Sequence, residues 1–184
     1  MELRPLRKSE PQLYGDLRLR GLQTGPAGGT LKTFVNETEG EAMEIILTET
    51  TDPGILALFS EHDEYMLDFL GEDRIYYTRY RESEKLEKVW AARENGRPVG
   101  CIAYREKDAG VGEVKRLFIK KEYRGQGISK ELLRALETYA REQGCHTLYL
   151  DTRITLEPAV SLYRASGFQI IFQQGLYVQM EKPL

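Results

Sequence analysis

The apolar positions of this chain come in short blocks, and their period switches between about two and about three and a half residues several times. Glu44-Ile45-Ile46-Leu47-Thr48-Glu49 predicts a strand. Asp52-Pro53-Gly54 then has the chemistry of a helix start, with Asp52 as cap and Pro53 at the first position. Ile55, Leu56, Leu58 and Phe59 give that helix an apolar face. A second helix is expected over residues 61–70, stopped by Gly71. Residues 74–80 are rich in aromatics, and their pattern does not choose an element. Residues 89–93 and 99–104 read as strands; Asn95-Gly96 between them marks a hairpin, expected to have a loop longer than two residues. Gly110-Val111-Gly112 turns the chain into residues 113–120, the third strand of a meander.

Residues 128–143 carry Ile128, Leu132, Leu133, Leu136, Tyr139 and Ala140 at helical spacing, and Gly144 ends the run. The next strand, 147–152, is expected to lie parallel to 113–120 through a right-handed crossover. Residues 158–166 predict a short helix ended by Gly167. Residues 168–172 and 176–180 predict a closing antiparallel pair around Gln174-Gly175.

Residues 1–42 differ from all of this. They are rich in glycine and charge, lack a sustained period, and are broken by Gly25-Pro26-Ala27-Gly28-Gly29. Such a stretch has too little apolar surface to offset its ordering entropy. Two readings stay open: a disordered N-terminal extension, or a mis-assigned start with Met43 as the native first residue. Glu39-Gly40-Glu41-Ala42 suits the second, because purine-rich codons resembling a ribosome-binding site can encode it. Residues 43–184 form a single domain on either reading.

Composition narrows the class. The chain has 184 residues, 41% hydrophobic and 30% charged, with a formal net charge of −3. These values fit a soluble globular domain and give no basic surface for nonspecific nucleic-acid binding. The apolar runs are too short to span a membrane, and the N-terminus has no signal-like apolar core. Cys101 and Cys145 read as buried reduced thiols, which places the protein in the cytoplasm. With only His62 and His146 beside them, no metal site is expected.

The chemistry concentrates at Arg124-Gly125-Gln126-Gly127-Ile128-Ser129. A two-glycine turn between a strand and a helix leaves backbone N–H groups pointing outward, and the helix adds its free N–H groups and positive dipole end. That is an anion cradle suited to phosphate, with Arg124 supplying charge beside it. A dinucleotide-binding loop would need a third glycine where Lys130 stands, and a Walker A loop would need Gly-Lys-Ser/Thr.

The six residues resemble the pyrophosphate-binding loop of the GNAT superfamily of acyl-CoA-dependent N-acetyltransferases, with Ser129 a small departure at the last position. Glu113-Val114-Lys115-Arg116-Leu117-Phe118-Ile119 resembles that family's fourth strand. Leu150-Asp151-Thr152, then Pro158-Ala159-Val160-Ser161-Leu162-Tyr163 and Gly167-Phe168, resemble its second CoA-binding block. The final Met180-Glu181-Lys182-Pro183-Leu184 is also similar to a common ending in that family. Many relatives carry an asparagine shortly before the tyrosine; Leu156-Glu157-Pro158 stands there instead, so contacts to CoA from this segment do not carry over.

The resemblance implies an α/β (or α+β) fold: a mixed, mainly antiparallel sheet flanked by helices and splayed between the fourth and fifth strands. It implies acetyl-CoA as cosubstrate, bound by backbone of Leu117, Phe118 and Ile119 and by Arg124, Gly125, Gln126, Gly127, Ile128 and Ser129. Tyr163 is then the acid for the leaving thiolate, and Glu113 the base, with a pKa expected to be raised at the centre of the sheet. A salt bridge from Glu113 to Lys115 or Arg116 is the alternative. The expected acceptor is a primary amine of a small molecule, with a homodimer possible. Protein or peptide N-acetylation and a non-catalytic acyl-CoA sensor are the competing functions. Tyr65, Met66 and Phe69 are expected near the acceptor or in the core, as are Tyr76, Tyr77 and Tyr80. Asp63, Glu64 and Asp68 suit a cationic acceptor or a solvated face.

Overall fold

The strand order follows the chain almost throughout, and the site opens where the single parallel pair diverges. The computed structural model describes residues 18–24, 30–35, 42–70 and 85–184. Gly71 and residues 74–80 lie outside them. The elements are β1 (Arg18–Thr24), β2 (Thr30–Val35), β3 (Ala42–Thr48), α1 (Pro53–Leu70), β4 (Lys88–Glu94), β5 (Arg97–Asp108) and β6 (Val111–Ile119). A 3-10 turn (Lys121–Tyr123) follows, then α2 (Ile128–Glu142), β7 (Thr147–Arg153), α3 (Glu157–Ala165), β8 (Gln169–Gln174) and β9 (Tyr177–Pro183). The sheet runs β1-β2-β3-β4-β5-β6-β7-β9-β8, antiparallel except for the β6–β7 pair. Counted from β3, that parallel pair joins the fourth and fifth strands, as expected.

Period-two alternation sends side chains to two different cores. Val89, Ala91, Cys101, Ala103 and Phe118 pack with Ile55 and Leu58 of α1 on one face. Trp90, Ala92, Ile102, Tyr104 and Val114 pack on the other face with Leu132, Leu133 and Leu136 of α2. Each of those three leucines is essentially fully buried, worth about 1.5–3 kcal/mol apiece. Both cysteines are buried and reduced.

Three expectations change. The two helices expected over 53–70 are one, because nothing between Phe59 and Glu61 breaks the backbone. Asp52 does cap it, accepting from the Gly54 and Ile55 N–H groups at 2.8 and 3.2 Å. The Asn95-Gly96 loop is only two residues long: Glu94 pairs with Arg97, and positive φ at both turn residues (48° and 78°) matches the strand twist. Finally, residues 18–24 and 30–35, inside the stretch read as lacking order, form a hairpin whose second strand pairs with β3. An open β3 edge offers backbone hydrogen bonds to any neighbouring chain, whatever its side-chain period.

Candidate active site

The β6–β7 pairing lasts only three residues, Val111 to Glu113 against Thr147 to Tyr149. Beyond Glu113, β6 continues to Ile119 without β7 beside it. A bulge accompanies the divergence: Cys101 pairs with Phe118 but Ala103 with Lys115, so β6 carries one extra residue. Arg116 sits there at φ 55°, a left-handed conformation that costs a non-glycine residue about 1–3 kcal/mol. Bulges bend and twist a strand, which turns β6 away from β7. The strained residue is held from α1, where Asp63 Oδ1 accepts from Arg116 Nη1 at 2.8 Å and the guanidinium lies 5.1 Å from the Phe59 ring centre.

Divergence exposes backbone. The Lys120 N–H donates to Val99 O of β5 at 2.9 Å. Alternation therefore turns the N–H and C=O of Ile119 toward the opened side. Arg124 Nε donates to that Ile119 carbonyl at 3.0 Å, and its guanidinium rests 4.9 Å from the Tyr65 ring centre. The Arg124 side chain thus ties the glycine turn to the strand and to α1. Gly125 and Gly127 adopt φ of 81° and 80°, as the turn requires. Gly127 is the N-cap of α2 and no side chain caps the helix, so its leading N–H groups and dipole face the cleft uncovered.

The other wall is a polar stripe on one face of the sheet. Arg105 pairs with Glu113 and Glu113 with Tyr149; Asp151 pairs with Gln179 and Arg153 with Tyr177. Lys115 Nζ lies 3.0 Å from both Glu113 Oε1 and Asp151 Oδ1. Arg105 Nε donates to Glu113 Oε2 at 2.5 Å. Burial pushes the Glu113 carboxyl up, but the Arg105 hydrogen bond and the Lys115 charge outweigh it and hold it below its ordinary value. The expected raised pKa is therefore overturned. Apolar neighbours in the sequence suggested an isolated buried acid, whereas the register supplies two cations. The salt-bridge alternative holds for Lys115; Arg116 pairs with Asp63 instead.

Tyr163 projects from α3, buried and packed edge-on against Phe168 at 5.6 Å between ring centres. Burial, reinforced by the Asp151 charge and opposed by Lys115, raises its pKa, so it keeps its proton at neutral pH. His62 of α1 was not singled out for this site by the sequence. Its Nδ1 is buried without a hydrogen-bond partner, and burial together with the Arg116 charge lowers its pKa to about 3. It is a neutral imidazole beside Phe118, 5.6 Å between ring centres.

These groups share one cleft of about 840 Å³. Glu113, Tyr163, Leu117, Phe118, Ile119, Arg124, Gly125, Gly127, Ile128 and Ser129 all line it; Gln126 is exposed on the loop and does not. Tyr65 and Met66 line it as well. Of the three acids considered for a cationic acceptor, Asp63 is buried against Arg116, while Glu64 and Asp68 are exposed outside the lining. Among the described residues no group of His, Cys, Asp and Glu could hold a metal ion, and no helix is long and apolar enough to cross a membrane.

The model of the acetyltransferase (GNAT) family matches residues 55–168, and the chain belongs to that family of N-acetyltransferases. It is 32% identical over 138 residues to an IAA acetyltransferase of Azospirillum brasilense, covering 71% of this chain and 90% of that protein. The fold is similar to that of a Klebsiella pneumoniae protein described as a candidate acyl-CoA N-acyltransferase, at a TM-score of 0.63 and 34% identity over 76% of this chain and 96% of that one. A Thermoplasma acidophilum N-acetyltransferase solved with coenzyme A shares the fold at a TM-score of 0.52 and 23% identity, covering 66% of this chain and 79% of that one.

Proposed function

We propose that the protein transfers the acetyl group of acetyl-CoA to the primary amine of a small molecule, by direct attack within the splayed cleft, and that residues 43–184 carry the activity. The observation supporting this most directly is that the uncapped glycine turn, the opened β6 strand and Tyr163 all line one cleft. The loop N–H groups take the pyrophosphate of CoA. The pantetheine lies along β6 like an added strand, and an N–H near Ile119 donates to the thioester oxygen.

The amine nitrogen attacks the carbonyl carbon, a C–N bond forms and the C–S bond breaks. Tyr163 gives its proton to the departing thiolate. Glu113 acts as base through a water. Because its pKa lies below the ordinary carboxylate range, it passes the amine's proton on rather than retaining it.

Thiol release from acetyl-CoA with a panel of amines tests the reading. Tyr163→Phe is expected to lower turnover by about a hundredfold or more while leaving acetyl-CoA affinity within about twofold. Near-normal turnover in that variant removes the acid role. The ion-paired Glu113, which leaves no strong base, favours a non-catalytic acyl-CoA-binding module as second reading. Tight acetyl-CoA binding with no thiol release from any amine, free or peptide-borne, would select it.

A further inference from the structure

On the acetyl-transfer reading Arg124 helps to hold CoA, yet its side chain stands where another part of the same ligand would lie. The Lys120 N–H is spent on Val99 of β5, so the Ile119 carbonyl faces the opened side of β6. Arg124 Nε donates to that carbonyl at 3.0 Å. The guanidinium lies 4.9 Å from the ring centre of Tyr65 on α1 and 5.9 Å from that of Phe118. Tyr65, Phe118, Ile119 and Arg124 all line the cleft. A strand added along β6 would pair with the Ile119 carbonyl through an N–H at an N···O distance of about 2.9 Å. A pantetheine amide and the Arg124 guanidinium therefore claim one position. The oxygen has a second lone pair, but a guanidinium set between it and Tyr65 fills the side from which a strand approaches.

A stronger partner for Arg124 belongs next to it in the chain. The Gly125–Gly127 turn follows directly, and a pyrophosphate held there puts anionic oxygens beside the guanidinium. Hydrogen bonds between ionised groups are roughly twice as strong as neutral ones, and phosphate accepts from a guanidinium bidentately. Arg124 is exposed, and what holds it on β6 is a neutral carbonyl and two ring faces. The side chain can exchange the carbonyl for the phosphate with little lost packing.

We propose that Arg124 makes the nucleotide a requirement for seating the thiol arm: its side chain competes with pantetheine for Ile119, and the pyrophosphate draws it away. The protein then selects acyl-CoA over acyl groups carried on pantetheine alone. The proposal rests on the reading that pantetheine lies along β6, and its test separates the two.

Dissociation constants are measured by NMR titration and calorimetry for CoA and for pantetheine, the same thiol arm without its nucleotide. In Arg124→Ala, CoA affinity is expected to fall by about tenfold as the phosphate contact is lost, and pantetheine affinity to rise by about fivefold as its competitor is lost. Tyr65→Leu keeps Arg124 and the glycine turn but removes the ring on which the guanidinium rests. It is expected to raise pantetheine affinity by about threefold and to leave CoA affinity within about twofold. Pantetheine affinity that does not rise in Arg124→Ala makes Arg124 a phosphate contact or a structural tie only; it overturns the competition and leaves acyl transfer standing. Should that variant fail to fold, the Tyr65→Leu value decides in the same way. Absence of CoA binding to the unaltered protein overturns both.

Discussion

The two sides of the cleft are built on different principles. The donor side is backbone: a glycine turn, an uncapped helix end and a strand turned outward by a bulge. The facing wall is side chains: alternating charged residues on neighbouring strands, paired across the sheet register. A backbone site requires glycine at fixed spacing and tolerates change elsewhere. A side-chain site can be assembled from positions far apart in sequence, and its charge balance decides what enters. One cleft can thus combine a fixed donor with a variable acceptor.

The largest expected effect falls on the donor side alone. Gly127→Val forces a β-branched residue to φ 80° and puts a side chain at the turn proposed to hold the pyrophosphate. Acetyl-CoA affinity is expected to fall by about a hundredfold, as read by calorimetry, with the acceptor KM within about threefold of normal. An equal loss on both sides would erase the distinction between them.

Asp63→Ala tests the link between the two sides. It leaves the buried Arg116 guanidinium at the bulge without its α1 carboxylate, which costs about 3–5 kcal/mol where a buried pair is broken. Thermal unfolding should register that loss, and thiol release should fall for every acceptor, because the bulge bends β6 for both. Unchanged stability would mean that α1 does not hold the bulge.

The smallest effect is a pH dependence. His62 titrates near 6.5 when unfolded and about 3 when folded, so between those values the unfolded chain binds the extra proton. Stability is therefore present above about 6.5 and declines as pH falls toward 3. Glu113, also depressed, adds a loss that starts lower, near its unfolded value of 4.5. Denaturant unfolding of His62→Gln should show a flatter profile between pH 6.5 and 5, where Glu113 contributes little. A profile that keeps its slope would place the titration elsewhere.

Much of this was legible from the chain. The meander, the crossover helix, the parallel strand and the closing hairpin all came from periodicity and turn residues, and the loop from its glycines. Glu113 shows where such reading stops. Its neighbours in sequence, Gly112 and Val114, suggest an isolated acid, while its neighbours in space are Arg105 and Lys115. A signal was present in the alternation Arg105-x-Lys107, Glu113-x-Lys115 and Tyr149-x-Asp151-x-Arg153, which marks one polar face on strands otherwise bound for the core.

The sequence by itself determined the family, the order of elements and the donor loop, because local backbone chemistry and short-range spacing carry them. Only the tertiary structure decided the state of Glu113, the burial of Asp63 on Arg116 and the placing of Arg105, Glu113, Lys115 and Asp151 side by side. Those depend on register between strands and on a bulge held from α1. Register is a long-range property, and no local pattern states which charges it will place side by side.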